Sequence, residues 1–207
     1  HKMTEGHQDA VTMVAYLPQP KAGEDFREKV EFPVEGPKEY AELIFSKIED
    51  IVAANKEYLS IARTPVDLYV NKLAGRKSIM LGIENGLALE SDINNVKHFA
   101  NRGIVYITLC HNGDNDICDS ARGSNTHNGV SEWGEKVIKE MNAQGVMVDL
   151  SHAAEKSFYD ALDISSTPIV CSHSNCKSLC DHPRNLTDDQ LRKLAQKGGV
   201  AQITLYH

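Results

Sequence analysis

Short apolar runs rich in β-branched residues alternate along the chain with longer stretches in which apolar residues recur every three or four positions. Runs of the first kind predict strands, and stretches of the second kind predict amphipathic helices. Helices are predicted at 38–59, 91–102, 131–144 and 153–163, after Thr64 and Pro65, and after a capping box at Thr187 and Gln190. Six strands are predicted, in the runs VTMVAYLP, SIMLGIE, IVYITLC, VMVDLS, PIVC and VAQITLY.

The alternation of near-continuous apolar strands with helices favours an α/β fold in which helices cover a parallel sheet. Because several strands end in polar residues, we predict a β/α barrel of the TIM type, whose sites gather at the carboxyl ends of the strands. A doubly wound open sheet is the alternative, although no GxGxxG follows a strand. A closed barrel has eight strands and typically about 250 residues. We therefore expect residues 1–207 to be one catalytic-domain segment, the central part of a barrel that is incomplete at both ends.

The composition excludes some classes of partner. The net charge is −7, the isoelectric point is about 5.7 and no basic cluster stands out, so nucleic acid is not an expected partner. No apolar run approaches the roughly 18 residues that predict a transmembrane segment, and the start does not look like a signal peptide. A cytoplasmic and a periplasmic location both stay open. The five cysteines are odd in number and form no CxxC pair, which predicts free thiols.

Two successive predicted strands each lead into a histidine, His152 in VMVDLSH and His173 in PIVCSHSN. The intervening helix makes these strands parallel neighbours, so both imidazoles are expected at one rim of the sheet. Glu84 ends the apolar run SIMLGIE, where a carboxylate is costly unless it is paired or binds a metal. One carboxylate and two imidazoles form a ligand set of catalytic zinc, with a fourth position open for water. The sequence therefore predicts a metal site at Glu84, His152 and His173.

Other polar residues are placed to support chemistry at this rim. His111 follows the strand IVYITLC and is placed to hydrogen-bond a substrate carbonyl as negative charge develops on it. Arg184 lies on the loop after His173, and its planar guanidinium suits a substrate carboxylate. Neighbours of the two ligand histidines are candidates for orienting the imidazoles. They are Asp149, Ser151, Ser172 and Ser174.

Two polar segments are interpreted as lying outside the metal site. His7 and Asp9 form an HxD pair, but the pair precedes its strand, so a solvated loop is expected. The loop 112–129 lacks the glycine and the glutamate that an EF-hand needs. It is expected to be a solvated loop over the site, with His127 exposed. Its aspartates are Asp114, Asp116 and Asp119.

The motifs GIENG, TLCH, DLSH, SHSN and PRN follow one another in this order, after MVAYLPQ near the start. With these motifs the chain resembles the membrane dipeptidase family, also called renal dipeptidase or peptidase family M19, in the style of its bacterial members. The resemblance implies a β/α barrel with two zinc ions that hydrolyses dipeptides, tolerates a D-residue at the C-terminal position and forms a homodimer. It implies that Glu84 bridges the two metals and that His152 and His173 complete one of them. His111 would contact the substrate and its tetrahedral intermediate, and Arg184 would hold the substrate carboxylate.

The chain also departs from the family pattern. The family's HxD on the first barrel strand, which binds the second metal, has no match, and a late aspartate that moves protons would lie beyond His207. The ligands of only one metal are recognisable, which calls into question the activity of the 207-residue chain by itself. Three hypotheses follow. They are a zinc dipeptidase, another metal-dependent amidase acting on N-acyl amino acids or lactams, and a catalytically incomplete barrel fragment that serves in folding or assembly.

Overall fold

Seven parallel strands form the sheet of this protein, whose computed structural model describes residues 2–205. The strands are β1 (Ala10–Tyr16), β2 (Leu59–Ile61), β3 (Lys77–Glu84), β4 (Ile104–Thr108), β5 (Met147–Asp149), β6 (Val170–Cys171) and β7 (Val200–Ala201). Their order is β1-β3-β4-β5-β6-β7, and β2 pairs with the first residues of β3. A doubly wound sheet reverses its strand order at a switch point. Here the order follows the sequence without reversal, as in a barrel, which confirms the predicted β/α type.

Helices connect the successive strands, and a short helix, α1 (Lys2–Glu5), precedes β1. The connecting helices are α2 (Pro37–Ala54), α3 (Pro65–Leu73), α4 (Asn94–Arg102), α5 (Glu132–Gln144), α6 (Glu155–Ile164) and α7 (Asp188–Gln196). The side chain of Ser131 caps α5, and the predicted capping box of Thr187 and Gln190 is present on α7. Gly103 and Gly145 end α4 and α5 with φ of 92° and 72°, a conformation that glycine adopts without strain. No helix within residues 2–205 is long and apolar enough to cross a membrane.

The two faces of the sheet have different surroundings. On β3, Leu81 and Ile83 are fully buried, and the rings of Phe45 on α2 and Phe99 on α4 are equally buried and meet edge to face. Side chains alternate across a strand, so Glu84 belongs to the opposite face, which lines an open cavity. The register aligns Glu84 with Tyr16 and Thr108, and Thr108 with Asp149. The polar ends of the strands therefore meet at one rim.

The predicted helix 38–59 is wrong at its end. Helix α2 stops at Ala54, because the buried stripe of this helix ends at Val52. Leu59 and Ile61 instead flank Ser60 in the alternating pattern of a strand, and they form the unpredicted β2.

Two other boundaries also differ from the prediction. Helix α4 begins at Asn94, not at Ser91, whose φ is 54° and whose hydroxyl donates to Asp116 at 2.6 Å. The last predicted strand is reduced to Val200–Ala201 among the described residues. The end of that predicted strand, at 206–207, lies outside the described residues.

Candidate metal centre

The carboxylate of Glu84, at the end of β3, lies next to three imidazoles. Its Oε1 lies 3.3 Å from Nε2 of His152, 3.3 Å from Nε2 of His173 and 4.0 Å from Nε2 of His111. The Nε2 atoms of His152 and His173 are 2.9 Å apart. The structure thus brings together the three predicted ligands and His111.

Tight turns after β5 and β6 point these imidazoles at Glu84. His152 has a φ of 74°, an uncommon conformation for a non-glycine residue that the surrounding contacts must hold. One such contact joins its Nδ1 to Oδ1 of Asn112 at 3.1 Å. His173 is fixed by its backbone N–H, which donates to the hydroxyl of Ser151 at 2.9 Å, and by its Nδ1, which lies 2.8 Å from Oγ of Ser172.

Asp149 makes hydrogen bonds to both of the turns that carry His152 and His173. This fully buried carboxylate accepts hydrogen bonds from the hydroxyls of Thr108 at 2.6 Å and Ser172 at 2.5 Å. It also accepts from the backbone N–H groups of Ser151 at 3.1 Å and Ser172 at 2.8 Å. Since the single hydroxyl proton of Ser172 goes to Asp149, Ser172 must accept a hydrogen bond from Nδ1–H of His173. The other nitrogen of His173, Nε2, then keeps its lone pair for the site.

The charges at the rim are those that metal binding requires. Burial raises the pKa of Glu84, but the neighbouring side chains of His152 and His173 outweigh it and hold that pKa well below its usual range. Burial, and then the charge of His152, lowers the pKa of His111 to about 4, and burial also lowers the pKa of His152. The centre therefore combines an ionised carboxylate with the neutral imidazoles of His111 and His152 at pH 7, the forms that coordinate metals.

The spacing of the donor atoms fits a small divalent ion. Tetrahedral bonds of about 2.0–2.1 Å place ligand atoms about 3.4 Å apart, close to the separations of 3.3, 3.3 and 2.9 Å among Glu84, His152 and His173. A second trio, in which His111 replaces His173, also has donor atoms within 4.8 Å of one another. His111 is the more distant imidazole from Glu84.

An open cavity of about 730 Å³ extends from these residues. Arg184 lines it, and its Nη2 donates to the backbone carbonyl of His173 at 3.3 Å. Its Nε is buried and has no hydrogen-bond partner within the described chain. A buried guanidinium N–H without an acceptor is costly, so a bound anion would be stabilised there.

The HxD pair stands apart from this centre, as predicted. Asp9 precedes β1 and forms ion pairs with Lys72 at 2.7 Å and Lys77 at 3.2 Å. Lys77 begins β3, and Glu84 ends it. Asp9 and Glu84 therefore belong to opposite edges of the sheet.

The loop 112–129 is more ordered than the solvated loop that the sequence predicts. Asp119 is buried and accepts from the N–H groups of His127 at 2.9 Å and Gly129 at 2.8 Å. His127 is half-buried, not exposed, and its Nε2 lies 2.7 Å from the backbone carbonyl of Asn115. Asn112 and Arg122 also line the cavity from this loop and were not predicted. Arg122 lies in the middle of the loop and in no motif, whereas Asn112 directly follows His111, and that position was its only sequence signal.

The cysteines form no disulfide among the described residues. Cys110, Cys118 and Cys171 are buried, Cys176 is half-buried, and Cys180 is exposed at the cavity. The prediction of free thiols is confirmed.

Comparison with known proteins gives a consistent result. The sequence model described as membrane dipeptidase (peptidase family M19) matches residues 1–207. Dipeptidase verJ of Clonostachys rogersoniana is 33% identical over 207 residues, covering 98% of this chain and 52% of that relative. The chain spans about half the length of that curated relative.

Solved structures share the fold. The probable dipeptidase PvdM from Pseudomonas aeruginosa has a TM-score of 0.87 at 24% identity, covering 98% of this chain and 52% of that chain. A metallo peptidase from Rhodobacter sphaeroides, liganded with a phosphinate mimic of the dipeptide L-Ala-D-Ala, has a TM-score of 0.84 at 21% identity, covering 98% of this chain and 63% of that chain. At these identities the likeness establishes the arrangement of strands and helices.

Proposed function

Since the chain belongs to the membrane dipeptidase family, peptidase family M19, we propose that it carries the metal- and substrate-binding rim of a zinc-dependent dipeptidase. The observation that carries this proposal is the convergence of one carboxylate oxygen and two imidazole nitrogens within 3.3 Å at the ends of three strands. Both imidazoles have contacts at Nδ1 that leave Nε2 available.

Glu84, His152 and His173 would hold the metal. A carboxylate with two imidazoles is a ligand set of catalytic zinc, which leaves a fourth position open. Zinc bound there supplies Lewis-acid activation of water near neutral pH. The family resemblance implies a second zinc, for which the sequence offers no HxD match at a strand end.

The remaining rim residues would position the dipeptide. His111 is neutral at pH 7, because its pKa is about 4, and it can donate an N–H to the carbonyl oxygen of the scissile bond. Arg184 would bind the C-terminal carboxylate through the unpartnered N–H of its guanidinium. These two contacts would place the peptide bond beside Glu84 and fix its direction.

Metal analysis of the purified protein and hydrolysis of a generic dipeptide test this function together. We expect stoichiometric zinc and turnover that a chelator abolishes and that added zinc restores. Protein that contains no zinc, and that gains no turnover when zinc is supplied, would contradict the proposal and favour the catalytically incomplete fragment.

An amidase acting on N-acyl amino acids is the second candidate, because Arg184 suits any substrate with a free carboxylate. The presence of a free amino group distinguishes the two substrate classes. Ala-Ala and N-acetyl-alanine, compared at equal concentration, separate the two hypotheses. Preference for the dipeptide supports the proposed function.

A further inference from the structure

A second arginine of the cavity has no role in the function described so far. Arg122 lines the cavity from the loop 112–129 with an exposed side chain. Within residues 2–205, its guanidinium makes no hydrogen bond or ion pair. An arginine facing a binding cavity without a carboxylate partner is available to a ligand.

The backbone before Arg122 is attached to the metal centre. The hydroxyl of Ser120 donates to the backbone carbonyl of His111 at 2.5 Å, and the N–H of Ala121 donates to the backbone carbonyl of His152 at 2.7 Å. The N–H of Arg122 then donates to Oγ of Ser120 at 3.2 Å. The backbone position of Arg122 is therefore fixed relative to both histidines, although its guanidinium is exposed.

Asp114 fixes the other side of this short turn. Its carboxylate accepts from the N–H groups of Ser120 at 2.8 Å and Ser124 at 2.9 Å, so it closes the loop around Arg122. A guanidinium on a fixed backbone loses less conformational entropy when it binds a ligand than one on a mobile loop.

The cavity carries more positive charge than one substrate carboxylate needs. Its lining contains two arginines, Arg122 and Arg184, and a single carboxylate, Glu84. Glu84 is already engaged by the imidazoles. With Arg184 assigned to the C-terminal carboxylate, Arg122 remains without an anion.

Arg122 and Arg184 line the same cavity. Burial lowers the pKa of Arg184, and the charge of Arg122 is among the smaller effects that lower it further. Coulombic coupling of this kind requires proximity. The second anion would therefore belong to the substrate residue that Arg184 holds, the C-terminal one.

We propose that Arg122 is a specificity-determining residue that favours dipeptides whose C-terminal residue carries a side-chain carboxylate, aspartate or glutamate. This inference rests on the proposed function. The side-chain carboxylate accepts hydrogen bonds from Arg122, while the C-terminal carboxylate accepts them from Arg184. A charge-assisted pair of this kind, partly exposed to solvent, is expected to give a preference of about tenfold over the uncharged isostere.

The test compares Ala-Asp with Ala-Asn, which differ only in a carboxylate and an amide, with both L- and D-residues at the C-terminal position. The purified, zinc-loaded protein is assayed as wild type, R122Q and R122K, with R192Q as an exposed-arginine control on α7. We expect kcat/KM to favour Ala-Asp about tenfold in the wild type and in R192Q. The preference should disappear in R122Q and return in part in R122K.

Calorimetric binding of the same two dipeptides to zinc-loaded and zinc-free protein gives a readout that does not depend on turnover. If no dipeptide is hydrolysed but Ala-Asp still binds more tightly in an Arg122-dependent manner, the proposed function fails and the charge preference stands. If dipeptides are hydrolysed and Ala-Asp and Ala-Asn react equally, the inference is wrong and the proposed function stands. A preference for Ala-Asp that survives in R122Q also overturns it.

Discussion

Each edge of the sheet carries a histidine and a carboxylate close together, but only one edge forms a metal centre. At the amino edge, the pair His7 and Asp9 precedes β1, and Asp9 forms solvent-exposed ion pairs with two lysines. At the carboxyl edge, the oxygen of Glu84 meets the imidazoles of His152 and His173, contributed by other strands. His7 and Asp9 are much closer in sequence than Glu84 is to His152 and His173, yet the HxD pair forms no ligand cluster.

The difference arises from strand direction and burial. Parallel strands bring distant residues together at their shared carboxyl edge, where the connecting loops can enclose a site. A carboxylate there is removed from water and needs imidazoles or a metal. Asp9 keeps its hydration and pairs with flexible lysines, an arrangement that contributes little. Replacing carboxylates by amides at both edges, and in the loop 112–129, tests this contrast.

Glu84→Gln is expected to have the largest effect. It removes the one charged ligand of the centre, whereas loss of an outer partner alone already costs about 10–100-fold in metal affinity or activity. We expect zinc content to fall below stoichiometric and kcat/KM for a dipeptide to drop by more than about 100-fold, while circular dichroism shows an unchanged fold. Full zinc occupancy in this variant would show that Glu84 is not a ligand.

Asp149→Asn is expected to reduce stability more than any other single amide in the series. In the wild type, two hydroxyls and two N–H groups donate to the carboxylate of Asp149. In the variant, the NH₂ group of the amide would face some of these donors and could not accept from them. Hydrogen bonds to charged groups contribute about 1.5–3 kcal/mol each in buried positions, so we expect unfolding in urea to require about 3 kcal/mol less.

Asp163→Asn, at an exposed position of α6, is the matched control for Asp149→Asn and should leave the free energy of unfolding unchanged. Equal stability of the two variants would mean that Asp149 does not connect the turns of His152 and His173. Reduced zinc affinity in Asp149→Asn alone would place its effect at the metal centre.

The rim could be predicted from the sequence because each ligand ends or follows an apolar strand, as Glu84 and His152 do. Because parallel strands run in the same direction, the ligands at their carboxyl ends meet at one rim of the sheet. Arg122 could not be predicted, because its position depends on hydrogen bonds inside a long loop and not on a periodic pattern. Strand β2 was missed for a related reason, since three residues are too few to set a period against the preceding helix.

Asp114→Asn tests the ordering of the loop 112–129 with an intermediate effect. Burial raises the pKa of Asp114, but hydrogen bonds from Ser120, Thr126 and Ser124 outweigh it and hold that pKa below its usual value. The carboxylate therefore stabilises the fold above about pH 4, and this contribution is lost as the pH falls through the lowered pKa. We expect the variant to lose about 1–2 kcal/mol of unfolding free energy at pH 7.

The pH dependence separates this effect from a simple packing change. The stability difference between wild type and Asp114→Asn should shrink when urea unfolding is repeated below about pH 4, where the carboxyl of the unfolded wild-type chain gains a proton before that of the folded chain. A difference that is the same at pH 3 and pH 7 would contradict the electrostatic explanation. Proteolysis within residues 121–126 should be faster in the variant at pH 7.

Asp9→Asn should have the smallest effect and completes the comparison with Glu84→Gln. Hydrogen bonds and charge from Lys72 and Lys77 lower the pKa of Asp9, but all three side chains belong to the edge that is farther from the centre. Solvent screens such pairs, so zinc content, kcat/KM and the melting temperature should match those of the wild type. The double substitution His7→Ala with Asp9→Asn should behave in the same way. Loss of a zinc ion in either variant would mean that the HxD pair binds metal after all, and position relative to the strand would then not decide which carboxylates form the site.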